Sequence, residues 1–113
     1  MKPKYRIEFL EEAIVFIENL EKKVREKILY NLKKAQLTND QKIFKKLNKN
    51  IWEFRTVYNR THYRLFAFWD KTDKTNTLVI STHGIEKKTQ KTPKKEIEKA
   101  ENLRKRYFNE LKK

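Results

Sequence analysis

The sequence contains no cysteine, which excludes disulfide bonds, thiolate nucleophiles and zinc sites built from cysteine. His62 and His83 are its only histidines, and two isolated imidazoles make a poor metal-ligand set. The longest uninterrupted apolar runs, residues 13–17 and 65–69, are far shorter than the roughly 20 residues that span a bilayer. No apolar stretch of about 7 to 15 residues follows the basic start, as a secretory signal requires. We therefore expect a cytoplasmic protein that enters no membrane and uses neither a metal nor a cofactor.

Positive charge dominates the composition. The 113 residues include 29 Lys and Arg against 15 Asp and Glu, and the formal net charge of +14 is concentrated in residues 1–50 and 83–113. Such a surplus favours a polyanionic partner such as nucleic acid or an acidic protein, because phosphate contacts release counterions. A merely soluble basic surface is the alternative. With 37% hydrophobic residues the chain can bury a core, so we expect one folded domain over residues 1–113.

Apolar periodicity predicts an α+β fold. Residues 4–9 alternate as in a half-buried strand. From about residue 10 to 36 apolar residues recur every three or four positions, and the length of this run predicts two antiparallel helices with a break near residues 20–23. Aromatic and β-branched segments then predict an antiparallel meander of three strands, at residues 52–58, 62–69 and 77–82. The predicted order is one strand, two helices, three strands and a final helix.

Two local signals follow the last predicted strand. Thr92 and Pro93 predict the start of the final helix, with Thr92 as the N-cap and Pro93 at the first helical position. Gly84, the only glycine, marks a backbone position that needs either a positive φ or a close approach by another group.

Two arginines lie inside successive predicted strands. A charged side chain there must project from the sheet or be paired. If Arg55 and Arg64 project from the same face, they form a surface that suits a phosphate and a stacked base. Depending on the register, the ring beside them is that of Tyr58, His62, Phe66 or Phe68.

A lysine-rich segment, residues 83–93, leaves the last predicted strand and is a candidate phosphate-binding rim beside the arginines. Cleavage of RNA by its own 2′-hydroxyl needs a base, an acid and cations that stabilise charge on the phosphate, but no metal. The acid or base could be His83 or a lysine whose neighbours are cationic. The candidate lysines are Lys87, Lys88 and Lys91, and Thr89 and Gln90 are further candidates for RNA contacts.

Each of these features has a structural alternative. Each arginine could instead form a cross-strand ion pair with Glu53 or Asp70. The lysine-rich segment could be a solvated run of charge, and His83 could be a plain residue at the end of a strand.

The motifs together resemble a known family. They are WEFR at residues 52–55, preceded by Leu47; YRLF at residues 63–66; and HGIEKKTQKTP at residues 83–93, followed by Glu96, Ile97 and Ala100. The chain resembles, over nearly its whole length, the RelE/ParE toxin superfamily, specifically the phage-derived, HigB-like branch of type II toxin–antitoxin modules. The resemblance implies a RelE-like fold, in which a small antiparallel sheet packs against an N-terminal helical hairpin (β-α-α-β-β-β), plus a C-terminal helix.

The resemblance also implies an activity and partners. It implies a metal-independent endoribonuclease (mRNA interferase) that cuts ribosome-bound mRNA and is neutralised by a cognate helix-turn-helix antitoxin. The residues expected to act on the phosphate are Arg55, Arg64, His83, Lys87, Lys88 and Lys91, and those expected to contact RNA are Tyr58, His62, Thr89 and Gln90. One departure is that no tyrosine stands near the end of the last predicted strand, where some members use one; Tyr107 is only a distant substitute.

Two other functions compete with the endonuclease. A ParE-like inhibitor of DNA gyrase shares the fold but acts by binding, and a non-catalytic nucleic-acid-binding protein is suggested by charge alone. The endonuclease hypothesis predicts that Arg64→Ala abolishes toxicity without unfolding the protein.

Overall fold

The computed structural model of the protein describes residues 3–72, 77–87 and 91–111. These residues form an α+β structure in which three helices accompany a five-stranded sheet. The strands are β1 (Arg6–Phe9), β2 (Phe44–Lys46), β3 (Trp52–Tyr58), β4 (Thr61–Asp70) and β5 (Leu78–Lys87). The helices are α1 (Glu11–Glu18), α2 (Lys22–Leu37) and α3 (Lys94–Leu111).

Most predicted elements are present, with two differences. The break in the N-terminal helical run is confirmed, because α1 ends at Glu18 and α2 begins at Lys22. β5 extends well past its predicted end to Lys87, so part of the lysine-rich segment is strand. β2 was not predicted, since a strand of three residues is too short to show an alternating pattern.

The sheet is mixed, which corrects the antiparallel prediction. Its strand order is β1-β5-β4-β3-β2. The meander β3-β4-β5 is antiparallel as predicted, but β1 runs parallel to β5. Alternating polarity shows which residues share a face of a strand, but it carries no information about the direction of the neighbouring strand. The sequence pattern of β1 therefore could not predict its pairing.

The two faces of the sheet pack against different helices. On one face, α2 packs against a core that includes Phe54 and Leu65. On the other face, Ala100 of α3 packs against Phe66 and Phe68, and all three side chains are fully buried. α3 covers only part of this second face, and the arginines lie in the remainder.

Gly84 is required by a close approach. The ring of Phe16, in the last turn of α1, lies against the Gly84 backbone, and a Cβ at position 84 would overlap the ring. The φ of Gly84 is not positive. Of the two reasons that the sequence offered for this glycine, the close approach is therefore confirmed and the positive φ is wrong.

The start of α3 differs from the prediction. The helix begins at Lys94, and the carbonyl of Pro93 accepts bonds from the backbone N–H of Glu96 and Ile97 at 3.1 and 3.4 Å. Thr92 is not the N-cap, because its hydroxyl bonds to a buried carboxylate of the sheet instead.

Asp70 ties the other end of α3 to β4. The Tyr107 hydroxyl donates to Asp70 Oδ2 at 2.5 Å, and Thr72 donates to Oδ1 through its N–H and its hydroxyl at 2.9 and 2.6 Å. Burial raises the pKa of the Asp70 carboxyl, but these hydrogen bonds outweigh it and hold the pKa below its usual range. Asp70 is thus an ionised anchor for α3.

Candidate nucleic-acid interface

The two strand arginines are neighbours on one face of the sheet. Arg55 of β3 stands directly opposite Arg64 of β4 in the antiparallel register. Directly opposed residues project from the same face of a sheet. The structure therefore brings the two guanidinium groups together, on the face that α3 partly covers.

Glu53 joins the two arginines. Its Oε2 atom lies 2.7 Å from Arg55 Nε and 2.7 Å from Arg64 Nη1, and its side chain is fully buried. A carboxylate between two guanidinium groups offsets their repulsion and leaves one positive charge in excess. The predicted cross-strand ion pair is thus present at Arg64, with Glu53 as the partner, whereas Arg55 pairs with the same carboxylate within its own strand β3.

Thr92 completes the hydrogen-bond network of Glu53 and Arg64. Its hydroxyl donates to Glu53 Oε1 at 2.8 Å and accepts a bond from Arg64 Nη1 at 3.3 Å. Because Thr92 precedes α3, these bonds fix the start of that helix to the sheet. Arg64 is consequently buried, with 3% of its side chain exposed, whereas 28% of the Arg55 side chain is exposed.

Arg55 lines a surface groove of about 480 Å³, which we call the basic groove. Its lining residues are Lys45, Leu47, Arg55, Lys91, Thr92 and Ile97. Lys45 comes from β2 and Lys91 from the segment before α3, and both are exposed. Three cationic side chains from three parts of the chain therefore converge on one surface.

Lys87 and His62 extend the same sheet face beside the basic groove. They stand opposite each other in the register of β4 and β5, and His62 lies two residues from Arg64. Lys87 Nζ donates a hydrogen bond to the Lys91 carbonyl at 3.0 Å. This bond holds the end of β5 against the segment that leads into α3, so the structure brings these predicted residues close to the groove.

His83 lies apart from the groove, beneath α3. Its ring stacks on Phe66 with centroids 4.8 Å apart, and only 3% of the residue is exposed. Nδ1 lies 3.1 Å from the Thr82 hydroxyl and Nε2 lies 3.4 Å from Glu96 Oε2. Burial, and secondly the positive charge of Lys99, lowers the pKa of His83 despite the nearby Glu96. The imidazole is therefore a buried group, out of reach of a ligand in the groove.

Among the described candidates, Tyr58 is not brought to the groove. Tyr58 shares a face of β3 with Phe54, opposite to the face of the arginines, and packs against the core beneath α2. Lys88, Thr89 and Gln90 lie outside the described residues.

Sequence reasoning missed Lys45 and the part that Thr92 plays. Lys45 belongs to the short strand β2, which has no periodic signal. The link between Glu53 and Arg55 did carry a signal, because residues two apart in a strand share a face and opposite charges there can pair.

In residues 3–72, 77–87 and 91–111, no group of three or more acidic or imidazole side chains is arranged to bind a metal ion. Nor is any helix in those ranges long and apolar enough to cross a membrane.

The arrangement can bind a phosphodiester. Guanidinium groups bind phosphate oxygens in a bidentate manner, and ammonium groups add point charges. Because Glu53 holds Arg55 through Nε, the terminal amino groups of Arg55 can be offered to a ligand.

Comparison with known proteins identifies the broad class. No curated protein matches the chain. The family model described as "Phage derived protein Gp49-like (DUF891)" matches residues 15–105, which include the whole basic groove and its buried support. This family is phage-derived and toxin-like, so the match agrees with the broad class that the resemblance implied. The chain belongs to the Gp49-like family of phage-derived proteins.

Proposed function

We propose that the chain is the toxin of a type II toxin–antitoxin pair, in the HigB-like branch of the RelE/ParE superfamily, and that it cleaves ribosome-bound mRNA without a metal ion. Membership of a toxin-like family supports the first part. The observation that carries the second part is the basic groove, in which Arg55, Lys45 and Lys91 face solvent above the buried Glu53.

The scissile phosphate occupies the basic groove in this proposal. The 2′-oxygen of the preceding ribose attacks phosphorus, its proton passes to a base, and the 5′-oxygen leaves with a proton from an acid. The products are a 2′,3′-cyclic phosphate and a free 5′-hydroxyl. Arg55 stabilises the charge that develops on the phosphate oxygens, and Lys45 and Lys91 add to the same field. Arg64 and Glu53 act as positioning residues, since they hold Arg55 and are themselves buried.

We assign proton transfer to side chains that lie at or beside the basic groove. Lys91 lines the groove and Lys87 is bonded to its carbonyl, so we propose these two residues for proton transfer. Lys88, Thr89 and Gln90 stay candidates for contacts with RNA. His83 is left out of the reaction because α3 covers it.

The proposed partners are the ribosome with its mRNA and a cognate helix-turn-helix antitoxin. A net charge of +14 favours association with the densely charged RNA of a ribosome. The antitoxin must prevent this association to protect the cell.

The decisive experiment is a reconstituted translation reaction with a defined mRNA, in which cut sites are mapped by primer extension. The variants are Arg55→Ala and, as the matched control, Arg6→Ala, which removes an exposed arginine from β1 at the far edge of the sheet. We expect the wild type and Arg6→Ala to cut translated mRNA, Arg55→Ala to cut at least about 100-fold more slowly, as when one oxyanion-stabilising donor is removed, and naked mRNA to stay intact.

Other outcomes point to other functions. If folded wild-type protein leaves translated mRNA intact but blocks DNA supercoiling by gyrase, the endonuclease proposal is wrong and the ParE-like function is correct. If it binds RNA with a steep dependence on salt but cuts nothing, the chain is a non-catalytic binding protein. Equal cutting by Arg55→Ala would remove the groove from the mechanism.

A further inference from the structure

A second cavity lies on the opposite face of the sheet from the basic groove. Its volume is about 570 Å³, within the range of about 300 to 1,000 Å³ that is typical of small-molecule sites. Four aromatic side chains contribute to its wall, Tyr5, Phe44, Trp52 and Trp69. We call it the aromatic pocket.

The rings of the aromatic pocket are set at angles to one another. Trp69 makes edge-to-face contacts with Tyr5 at 5.1 Å and with Trp52 at 6.0 Å, both with planes 86° apart. Phe44 stacks on Trp52 at 4.8 Å. Both indoles are only partly buried. Exposed aromatic surfaces in a cavity suit a flat aromatic ligand, because such a ligand can stack on one ring and meet the edge of another.

The buried hydroxyl of Tyr5 lacks a hydrogen-bond partner among the described residues. Only 9% of Tyr5 is exposed. Burial raises the pKa of Tyr5 to about 12, so the group is a neutral phenol that can donate and accept. A buried polar group without a partner is costly. A ligand with polar atoms in its ring plane would satisfy it.

Charge around the aromatic pocket favours an anion. Lys71 and Lys4 are both exposed and line the cavity, with Lys71 Nζ 6.0 Å from the centre of the Trp69 ring. Lys4 Nζ donates to Asn39 Oδ1 at 2.7 Å, which fixes its position. Asp40 also lines the cavity, but one of its oxygens accepts a bond from the backbone of its own turn. Two ammonium groups against one carboxylate disfavour a cationic ligand.

We propose that the aromatic pocket binds a nucleotide, with the base stacked on the indoles of Trp52 and Trp69 and bonded to the Tyr5 hydroxyl, and with the phosphate at Lys4 and Lys71. This site goes beyond the proposed nuclease activity, because it lies across the sheet from the basic groove. The same chemistry fits a free mononucleotide and a single nucleotide of an RNA strand.

The chain carries its own probe for this site. Trp52 and Trp69 are its only tryptophans, so intrinsic indole fluorescence reports on the aromatic pocket alone. We would titrate wild-type protein with adenosine 5′-monophosphate, with adenosine, and with a short adenylate oligonucleotide. We expect saturable quenching, with the monophosphate bound about 3- to 10-fold more tightly than adenosine because two lysines contact its phosphate.

Two conservative variants test the contacts. Tyr5→Phe removes only the unpartnered hydroxyl, so it should weaken binding of the monophosphate by about 2- to 12-fold while leaving thermal stability unchanged or raised. Lys71→Ala should weaken binding of the monophosphate but not of adenosine. The matched control is Lys27→Ala, an exposed position of α2 away from the pocket, and it should change neither. Arg55→Ala, in the basic groove, should also leave this binding unchanged.

Each result has a definite meaning. Absence of saturable quenching, equal affinity for the monophosphate and adenosine, or unchanged affinity in both Tyr5→Phe and Lys71→Ala would overturn the proposal. If the monophosphate binds more tightly than the oligonucleotide, the ligand is a free nucleotide; the reverse order identifies a nucleotide of an RNA strand. Because this assay contains neither ribosomes nor cleavage, failure of the nuclease proposal would leave its outcome unaffected.

Discussion

Removal of Arg64 should destabilise the folded protein, whereas the sequence alone predicted a loss of toxicity without unfolding. Arg64→Met replaces the guanidinium with an apolar group of similar length and leaves the fully buried Glu53 with Arg55 and Thr92 as partners. Breaking a buried ion pair by removing one partner costs about 3 to 5 kcal/mol. Because two partners stay in place, we expect the lower end, about 3 kcal/mol. In a domain of this size that lowers the Tm by about 12 °C.

A double-mutant cycle measures the interaction energy between Glu53 and Arg64. Glu53→Gln alone removes the counter-charge that Glu53 supplies to the buried Arg64, which lies directly opposite Arg55, so it should also cost about 3 kcal/mol. The double variant Glu53→Gln with Arg64→Met buries no charge at this position and should lie within about 2 kcal/mol of the wild type. The two single costs add to about 6 kcal/mol, so the coupling energy between Glu53 and Arg64 should be at least about 4 kcal/mol.

Urea unfolding followed by far-ultraviolet circular dichroism measures all four free energies. Lys27→Ala serves as a surface control and should change stability by less than about 0.5 kcal/mol. Additive single variants, or a cost below about 1 kcal/mol for Arg64→Met, would refute the assignment of a buried charged pair. If the cycle behaves as expected, loss of toxicity in Arg64→Ala does not separate lost stability from lost chemistry, and Arg55→Ala is the variant that tests the chemistry.

Three further predictions concern packing and titration. Gly84→Ala should cost about 1 to 3 kcal/mol because the new methyl group overlaps the Phe16 ring, and adding Phe16→Leu should recover part of the loss in thermal unfolding. Tyr107→Phe should cost about 1.5 to 3 kcal/mol at pH 7. Since the folded-state pKa of Asp70 is lowered, this stability is present above about pH 4 and is lost as the pH falls further, so parallel stability curves for variant and wild type would contradict the assignment. The pKa of His83 is lowered in the folded state, so the free energy of unfolding should fall as the pH drops below about 6.5. His83→Gln should remove this dependence on pH. An NMR titration midpoint at or above about 6.5 for the His83 imidazole would contradict the prediction.

The spacing of apolar residues predicted strands and helices correctly where the same period continued over the whole element. The β3 strand has its predicted bounds, and the helical break falls where the length of the run required one. The same patterns say which residues share a face, but not what covers that face. His83 and Lys87 lie on one face of β5, yet α3 buries the first and leaves the second beside the groove. That difference depends on where a distant helix packs.

The candidate site was predicted only in outline. Arg55 and Arg64 were identified because charge inside a strand needs an explanation, and their common face depended on a register that short loops made plausible. The choice between a free pair of cations and a neutralised pair could not be made from sequence, because it depends on the rotamer of Glu53. Lys45 reaches the groove only through the unpredicted strand β2.

The parallel pairing of β1 with β5 has a consequence for the synthesis of the protein. Arg6 pairs with Leu78, so the first strand waits for a partner that follows about 70 residues later in the chain. At about 5 to 20 residues per second, that delay is about 4 to 14 s. A nascent chain that stops short of β5 cannot complete its sheet, and it also lacks Lys87 and Lys91. Under the proposed function, the protein therefore cannot act on the ribosome that is making it until β5 and Lys91 have been synthesised.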